Sequence, residues 1–287
     1  MRIALATCQT LPDLFTDDQL LREALEARGA EAHPLVWDSE AGTTDRPDLC
    51  VLRNTWDYYL KLEPFLVWAE AMATRTRLLN PWPLVRWNAH KAYLLELATR
   101  KVPTVPTLLA RRGRPLPVAA LAAAAGWTEV VVKPAVSAGA HRTARHVSAD
   151  PAAQAHLDEL VADGDALLQP YLVGVESYGE RSFLVIDGQL THGVRRPQAL
   201  TEGVALDRTL ERVTPTDLEG ERVRLALAAL PVEPLYARID LVPGLDGSPV
   251  VMEVEVIEPR LFLQGLGAFL EEEARLDHLH LHHHGAA

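Results

Sequence analysis

Apolar and polar positions in the first part of the chain alternate between short strand-like runs and longer amphipathic segments. Apolar and β-branched residues predict strands at residues 2–7, 32–37 and 49–52. The segments between them, residues 17–28 and 64–74, have helical patterns. Strands that alternate with helices are typical of a parallel sheet covered by helices, so residues 1–87 are expected to form an N-terminal α/β domain.

The main alternative for such a unit is a dinucleotide-binding domain. In those domains a glycine-rich turn, G-x-G-x-x-G, follows the first strand and lets the backbone approach a pyrophosphate. Here the first strand leads into Thr7-Cys8-Gln9-Thr10, which contains no glycine. The sequence therefore disfavours this alternative.

Two acidic strands dominate the last third of the chain. Residues 236–242 and 249–254 have strand patterns, and the turn residues between them predict an antiparallel pair. The pair carries the carboxylates Asp240, Glu253 and Glu255, and residues two apart on a strand share a face. Clustered carboxylates repel one another unless a cation neutralises them, and a ligand set made of oxygens alone favours Mg²⁺. A solvated acidic face is the alternative, but the surrounding Val, Ile and Met residues argue against it.

A lysine at the end of a buried strand is a candidate phosphate contact. Residues 127–134 predict a strand that contains Lys133, and the small-residue stretch 135–140 follows it. Backbone amides in such a loop can approach a phosphate while the ammonium group balances its charge. The loop has only one glycine and no GxxxxGK[ST] motif, so by itself it indicates a phosphate site only weakly.

The middle of the chain predicts a hinge followed by a hairpin. The apolar run 166–172 is interrupted by a proline, and Glu176 follows it. Residues 182–186 and 189–195 then read as two strands joined by an Asp-Gly turn. The order of parts is a lysine strand, a small-residue loop, a hinge with an acid, a hairpin that ends in arginine, and the carboxylate hairpin.

In this order of parts, the chain resembles the ATP-grasp superfamily over roughly residues 88–265. The resemblance implies an α/β fold in which the N-terminal substrate domain, 1–87, precedes two ATP-clamping subdomains at residues 88–171 and 172–276. It also implies a cytoplasmic ligase that uses ATP with a pair of Mg²⁺ ions held by Asp240, Glu253 and Glu255. Arg195 and Arg238 would balance the charge of the transferring phosphoryl group.

The same resemblance implies a set of nucleotide contacts. Lys91 and Lys133 would contact the phosphates, the hinge at residues 169–172 would face adenine, Glu176 would hold the ribose hydroxyls, and Met252 would pack on the adenine face. The residues expected to bind ATP are Lys91, Lys133, Ser137, Gln169, Tyr171, Leu172, Glu176 and Met252.

Within the superfamily, the chain is similar to the group around the D-cycloserine-forming enzyme. The similar segments are residues 53–58, 80–81, 86–91, 179–183 and 255–263. This similarity implies that a small amino-acid-derived substrate is activated as an acyl phosphate and that a C–N bond then forms. The specific expectation is intramolecular cyclisation of O-ureido-D-serine to D-cycloserine. Two departures are Glu255, where many relatives have asparagine, and the glycine-poor phosphate loop.

The segment after the strand at residues 49–52 is the candidate substrate site. Ligands of open α/β sheets bind where strands end, and a guanidinium group can take a carboxylate in a bidentate manner. The residues expected to contact substrate are Arg53, Asn54, Trp56, Asp57 and Tyr58. Ordinary packing of the aromatic residues at a domain interface is the alternative.

Composition agrees with a cytosolic enzyme. The net charge of −11 argues against nucleic acid and anionic membranes as partners. The two cysteines give no disulfide framework, the N-terminus lacks a signal-peptide pattern, and no apolar run approaches the ~20 residues of a membrane helix. We expect a small amino-acid-like substrate as the partner, with a homodimer as a possible assembly. The His-rich tail, 277–287, is expected to have no part in the chemistry.

Other function classes remain open at this stage. The same ATP site would serve an intermolecular ligase that makes a peptide-like or glutathione-like amide. It would also serve a phosphotransferase or a nucleotide sensor that stops before ligation. The sequence does not name the substrate, because no spacing rule decodes the side chains that select it.

Overall fold

The computed structural model describes residues 1–196 and 210–263 and contains three sheets, each formed by one stretch of the chain. The N-terminal sheet is parallel, with the order β2-β1-β3-β4, as the alternating pattern predicted. Its strands are β1 (Arg2–Thr7), β2 (Glu31–Val36), β3 (Leu49–Asn54) and β4 (Arg77–Leu79). Its helices are α1 (Thr16–Glu26), α2 (Glu40–Thr44) and α3 (Leu62–Arg75), with a 3-10 turn at Tyr58–Lys61 before the last.

The middle sheet is antiparallel and has the order β5-β8-β6-β7. Two short helices, α4 (Trp82–Asn88) and α5 (Tyr93–Thr99), lead into it. Its strands are β5 (Leu108–Ala110), β6 (Glu129–Pro134), β7 (Ala144–Val147) and β8 (Ala166–Pro170). Its helices are α6 (Val118–Ala125) and α7 (Pro151–Asp163), whose apolar residues form one core with β6 and β8.

The C-terminal sheet is antiparallel in the order β11-β10-β9-β12-β13. Its strands are β9 (Glu180–Ile186), β10 (Gln189–Arg196), β11 (Glu211–Val213), β12 (Tyr236–Pro243) and β13 (Pro249–Glu255). Its helices are α8 (Val175–Tyr178) and α9 (Asp217–Ala228). The α9 helix begins with a capping box in which Thr216 and Glu219 satisfy each other's backbone amides.

The predicted acidic hairpin is confirmed, with β12 and β13 antiparallel and Asp240 directly opposite Glu253. The three sheets fall inside the predicted ranges 1–87, 88–171 and 172–276, whose boundaries stay a prediction. The His-rich tail at residues 277–287 lies outside the described residues. Within the described residues, none of the helices has the length and apolar character needed to cross a membrane.

Candidate active site

A cavity of about 950 Å³ lies between the middle and C-terminal sheets and reaches the N-terminal domain. Its wall has three regions of different chemistry. One is apolar, one contains lysines and carboxylates, and one is aromatic and charged. Twelve predicted site residues line it: Lys91, Lys133, Ser137, Gln169, Tyr171, Leu172, Met252, Arg238, Glu253, Glu255, Trp56 and Tyr58.

The apolar region lies where the hinge after β8 faces the C-terminal sheet. Its lining residues are Val105, Val131, Leu172, Val175, Val242 and Met252. The buried Gln169 is held there by a 2.8 Å hydrogen bond from its Nε2 to the Thr107 hydroxyl. A slot with apolar walls and a few fixed polar groups suits a planar aromatic ring.

Glu176, predicted to hold the ribose hydroxyls, does not line this cavity. Its carboxylate accepts hydrogen bonds from the Tyr171 hydroxyl and from Arg145, at 2.8 and 2.9 Å. Arg145 also pairs with Glu129 and lies 3.6 Å from the centre of the Tyr171 ring. Glu176 therefore helps to fix the hinge, and its contact with the ribose hydroxyls stays a prediction.

The lysine region lies beside the small-residue loop. Lys91 and Lys133 both line it, and the Lys91 backbone amide donates to the Ala135 carbonyl at 2.7 Å. Burial lowers the pKa of Lys133 to about 8, and the neighbouring Lys91 contributes to the shift. Burial disfavours the charged form of Lys91 too, but its ion pair with Glu253 keeps its pKa above the ordinary value. Two cations at one loop suit a polyphosphate.

Asp240, Glu253 and Glu255 form a single carboxylate cluster in which one oxygen from each lies within 4.8 Å of the others. Burial raises the pKa of Glu255 to about 7, and the other two carboxylates add to the shift. Burial also opposes ionisation of Asp240, yet Arg238 and Arg196 lower its pKa to about 2. Three converging oxygens with no nitrogen or sulfur donor form a set that fits Mg²⁺.

Two arginines balance the negative charge of this cluster. Arg238 bonds Asp240 at 2.8 to 3.2 Å and also pairs with Glu255. Arg196 lies 3.0 Å from Asp240 and pairs with Glu180. Both arginines line the cavity, so either can approach a bound anion.

Arg195, predicted to act on the transferring phosphoryl group, points to the other face of β10. Its guanidinium donates to the Tyr178 and Ser177 carbonyls, each at 2.7 Å, and pairs with Glu211. Successive residues of a strand face opposite sides, so the neighbouring Arg196 faces the cavity instead. This corrects the prediction by one position.

The two neighbouring arginines make a matched experimental pair. We expect Arg196→Gln to reduce ATP-dependent phosphate release by at least about 10²-fold, the scale of losing one charge-stabilising donor. Arg195→Gln should leave phosphate release near that of the unchanged protein. A phosphate-release assay on both variants, with thermal unfolding to verify folding, measures this. The reverse order of effects would restore the prediction made from the sequence.

The third region of the cavity lies against the N-terminal domain. Trp56 and Tyr58, both predicted to contact substrate, line it together with Phe15, Tyr59 and Phe262. The Trp56 indole also donates to the Glu258 carbonyl at 3.1 Å. This region can therefore enclose a small molecule between aromatic rings.

Three other residues predicted to contact substrate are structural in this arrangement. Arg53 is 1% exposed, and its guanidinium donates to Asp18 at 2.5 Å and to the Pro259 carbonyl at 2.8 Å. Asn54 bonds Asp18 and the Phe15 amide. Asp57 accepts from the Trp37 indole at 2.8 Å. None of the three lines the cavity formed by the described residues, because each points into a protein interior or interface.

Several cavity residues were given no role from the sequence. They are Glu180, Arg196, Glu258, Arg260, His141 and Phe262. Glu258 and Arg260 follow β13 within a segment already noted for its family resemblance, so their position after the strand that carries Glu253 and Glu255 was the available signal. Arg260 lies 4.7 Å from the centre of the Phe15 ring and 3.8 Å from Asp17.

Comparison with known proteins identifies the family of this chain. The sequence model of the family described as "D-cycloserine synthetase DcsG, N-terminal domain" matches residues 3–80. The cycloserine biosynthesis protein DcsG of Streptomyces lavendulae is 34% identical over 280 residues, which cover 91% of this chain and 92% of that protein.

Solved structures extend the comparison. The crystal structure of D-cycloserine synthetase DcsG matches with a TM-score of 0.81 and 30% identity, covering 92% of this chain and 94% of that one. A RimK-domain ATP-grasp protein from Sphaerobacter thermophilus matches with a TM-score of 0.67 and 21% identity, covering 93% of this chain and 95% of that one. D-alanine–D-alanine ligase from Bacillus anthracis, solved with ATP, has a TM-score of 0.60 and 16% identity, covering 90% of this chain and 86% of that one. The last two show the shared fold alone.

The fold and the site define an ATP-grasp ligase, an enzyme class that uses ATP and Mg²⁺. The similarity of this chain to the Streptomyces protein extends over nearly the whole chain and indicates a narrower family within that class. The chain belongs to the ATP-grasp family of D-cycloserine synthetases.

Proposed function

We propose that this enzyme cyclises O-ureido-D-serine to D-cycloserine, with ATP converted to ADP and phosphate and the carbamoyl group released as carbon dioxide and ammonia. The observation that carries the proposal is that one cavity joins an apolar slot, a lysine and carboxylate centre, and a small aromatic and charged end. These three regions suit adenine, phosphates with metal, and a small polar amino acid. Membership of the family supports the substrate.

The charge of each residue would determine which part of the reactants it binds. Lys91 and Lys133 would contact the ATP phosphates, and Lys91 would leave its ion pair with Glu253 to do so. Mg²⁺, as a pair of ions held by Asp240, Glu253 and Glu255, would neutralise phosphate charge during transfer. Arg238 and Arg196 would balance the charge of the acyl phosphate formed on the substrate carboxylate. Such catalysis consists mainly of positioning and charge stabilisation.

Ring closure then requires the substrate's own nitrogen to meet its activated carbonyl group. The aromatic side chains Trp56, Tyr58 and Phe262 would hold the substrate folded and exclude water from the acyl phosphate. The nitrogen next to oxygen would attack the carbonyl carbon, the C–N bond would form, and phosphate would leave. Hydrolysis would break the bond between this nitrogen and the ureido carbonyl carbon and release that group as carbon dioxide and ammonia. An intermolecular ligase would instead need room and contacts for a second amine.

The test is a reaction with one amino acid. We expect ADP, phosphate and D-cycloserine to form from O-ureido-D-serine and MgATP with no added amine, measured by phosphate release and mass spectrometry. A control without the amino acid gives the background hydrolysis of ATP. A strict requirement for a second amine would indicate intermolecular ligation, and a phosphorylated product without ring closure would indicate a phosphotransferase.

A further inference from the structure

One buried carboxylate in the cavity has no partner among the residues that the structure describes. Glu258 is 7% exposed and lines the cavity. Within residues 1–196 and 210–263, its carboxylate has no hydrogen bond or ion pair with another group. Burial raises its pKa to about 8, and the nearby Glu255 adds to the shift. An unpaired buried carboxylate is costly, so this position favours a ligand that brings a positive charge.

The backbone that carries Glu258 is fixed on both sides of it by side chains from other parts of the fold. Donors hold the carbonyls of Val256 (from Asn80, 2.8 Å), Ile257 (from Tyr236, 3.2 Å), Glu258 (from Trp56, 3.1 Å) and Pro259 (from Arg53, 2.8 Å). The Val256 amide donates to Asn88 at 3.0 Å. Glu258 is therefore held in place before any ligand binds, which is how binding groups are preorganised.

The neighbouring protein cations are committed to other carboxylates. Lys91 pairs with Glu253, and Arg238 pairs with Asp240 and Glu255. Glu258 also lies outside the cluster of three carboxylates that suits a metal ion. Its surroundings include Trp56 and Tyr58, whose ring faces attract organic cations. These features suit an ammonium group better than a metal ion.

The short separation between Glu258 and Glu255 along the chain suits the short separation between the ammonium and carboxylate groups of an α-amino acid. It is three residues after Glu255, so the chain between them spans at most about 11 Å. A carboxylate that is to be phosphorylated must lie at the phosphate and metal centre. The ammonium group of an α-amino acid is attached to the adjacent carbon, and its counter-charge must therefore lie beside that centre.

We infer that Glu258 binds the α-ammonium group of the substrate and thereby selects α-amino acids. The inference rests on the proposed function, in which the substrate carboxylate is phosphorylated. The sequence predicted Arg53 as a substrate contact, through a bond from its guanidinium group to the carboxylate. Glu258 would instead contact the substrate through its ammonium group. Arg53 then acts indirectly, by holding the Pro259 carbonyl.

Binding measurements with two ligands test the inference. The protein is titrated calorimetrically with Mg²⁺ and a non-hydrolysable ATP analogue present, first with O-ureido-D-serine and then with the analogue that has hydrogen in place of the α-amino group. We expect the unchanged protein to prefer the amino acid by at least about 30-fold, the scale for a buried charge pair. Glu258→Gln should abolish most of this preference and leave affinity for the nucleotide analogue unchanged.

Two further variants make the result interpretable. Glu221→Gln makes the same chemical change on α9, where the side chain is 52% exposed, and should keep the full preference. Glu258→Asp keeps the negative charge and should keep part of the preference for the amino acid. This variant separates the effect of charge from any effect of glutamine on folding. If Glu258→Gln weakens both ligands equally or neither, the inference is overturned.

The outcome also separates this inference from the proposed function. If another α-amino acid supports phosphate release and O-ureido-D-serine does not, the proposed substrate is wrong. The Glu258 comparison is then made with that amino acid and its deaminated form. If the unchanged protein shows no preference for an α-amino group in any ligand that binds, the role of Glu258 is overturned.

Discussion

Glu253→Gln is expected to reduce ATP-dependent phosphate release by at least about 10²-fold while the protein remains folded. Glu253 lies directly opposite Asp240 and supplies one of the three oxygens of the cluster. Glutamine keeps the shape but removes a negative charge, so the cluster holds Mg²⁺ less tightly. The loss of repulsion with Asp240 and Glu255 offsets the loss of the ion pair with Lys91.

Phosphate release and thermal unfolding, measured on the same preparation, test this expectation. Glu221→Gln on the exposed face of α9 is the matched control and should behave like the unchanged protein. Phosphate release by Glu253→Gln at a near-normal rate would mean that the carboxylates form only a charged wall of the cavity.

Asp240→Ala should instead destabilise the fold, by about 3–5 kcal/mol. Asp240 is fully buried, accepts a 2.6 Å hydrogen bond from Ser182, and is the shared partner of Arg238 and Arg196. Its removal leaves buried guanidinium groups without their counter-charge. Because the folded-state pKa of Asp240 is lowered to about 2, its stabilising effect is present above about pH 4 and is lost as the pH falls through about 2.

Urea unfolding at neutral pH measures the effect. Asp240→Asn keeps the shape and one hydrogen-bond acceptor, so it should unfold at a urea concentration between those of Asp240→Ala and the unchanged protein. An Asp240→Ala protein as stable as the unchanged one would mean that the two arginines find other partners.

The acidic hairpin could be predicted because its signals are local. Alternation places Glu253 and Glu255 on one face, and the turn composition pairs their strand with the one that holds Asp240. The different burial of the three carboxylates could not be predicted. It depends on Arg196 and Ser182, which come from strands far away in the sequence.

The error over Arg195 and Arg196 has a specific cause. The pairing of β9 with β10 shifts between Leu190 and His192, where a bulge interrupts the register. A shift of one residue exchanges the side chains on the two faces of a strand, and no local pattern marks it here. The sequence pointed to Arg195 but not to its neighbour Arg196, which faces the cavity.

The error over Arg53 arose from long-range partners. Its position at the end of β3 suited ligand binding, and it stands beside Trp56, which does line the cavity. The sequence does not reveal that Asp18 on α1 and the carbonyl of Pro259 already occupy the guanidinium. Such pairings depend on how the domains pack, which periodicity does not encode.

The hydrogen bonds that hold residues 256–259 separate two tasks that often fall to the same residues. Arg53, Asn80 and Tyr236 support the backbone, whereas Glu258 and Arg260 present side chains to the cavity. Substitution of the side chains that face the cavity can therefore change substrate choice during evolution, while the residues that support the backbone stay the same. For the same reason, a chimaera with an N-terminal domain from another protein must also carry the residues that bond to that domain in segment 256–259. Otherwise this segment loses the hydrogen bonds that hold it in place.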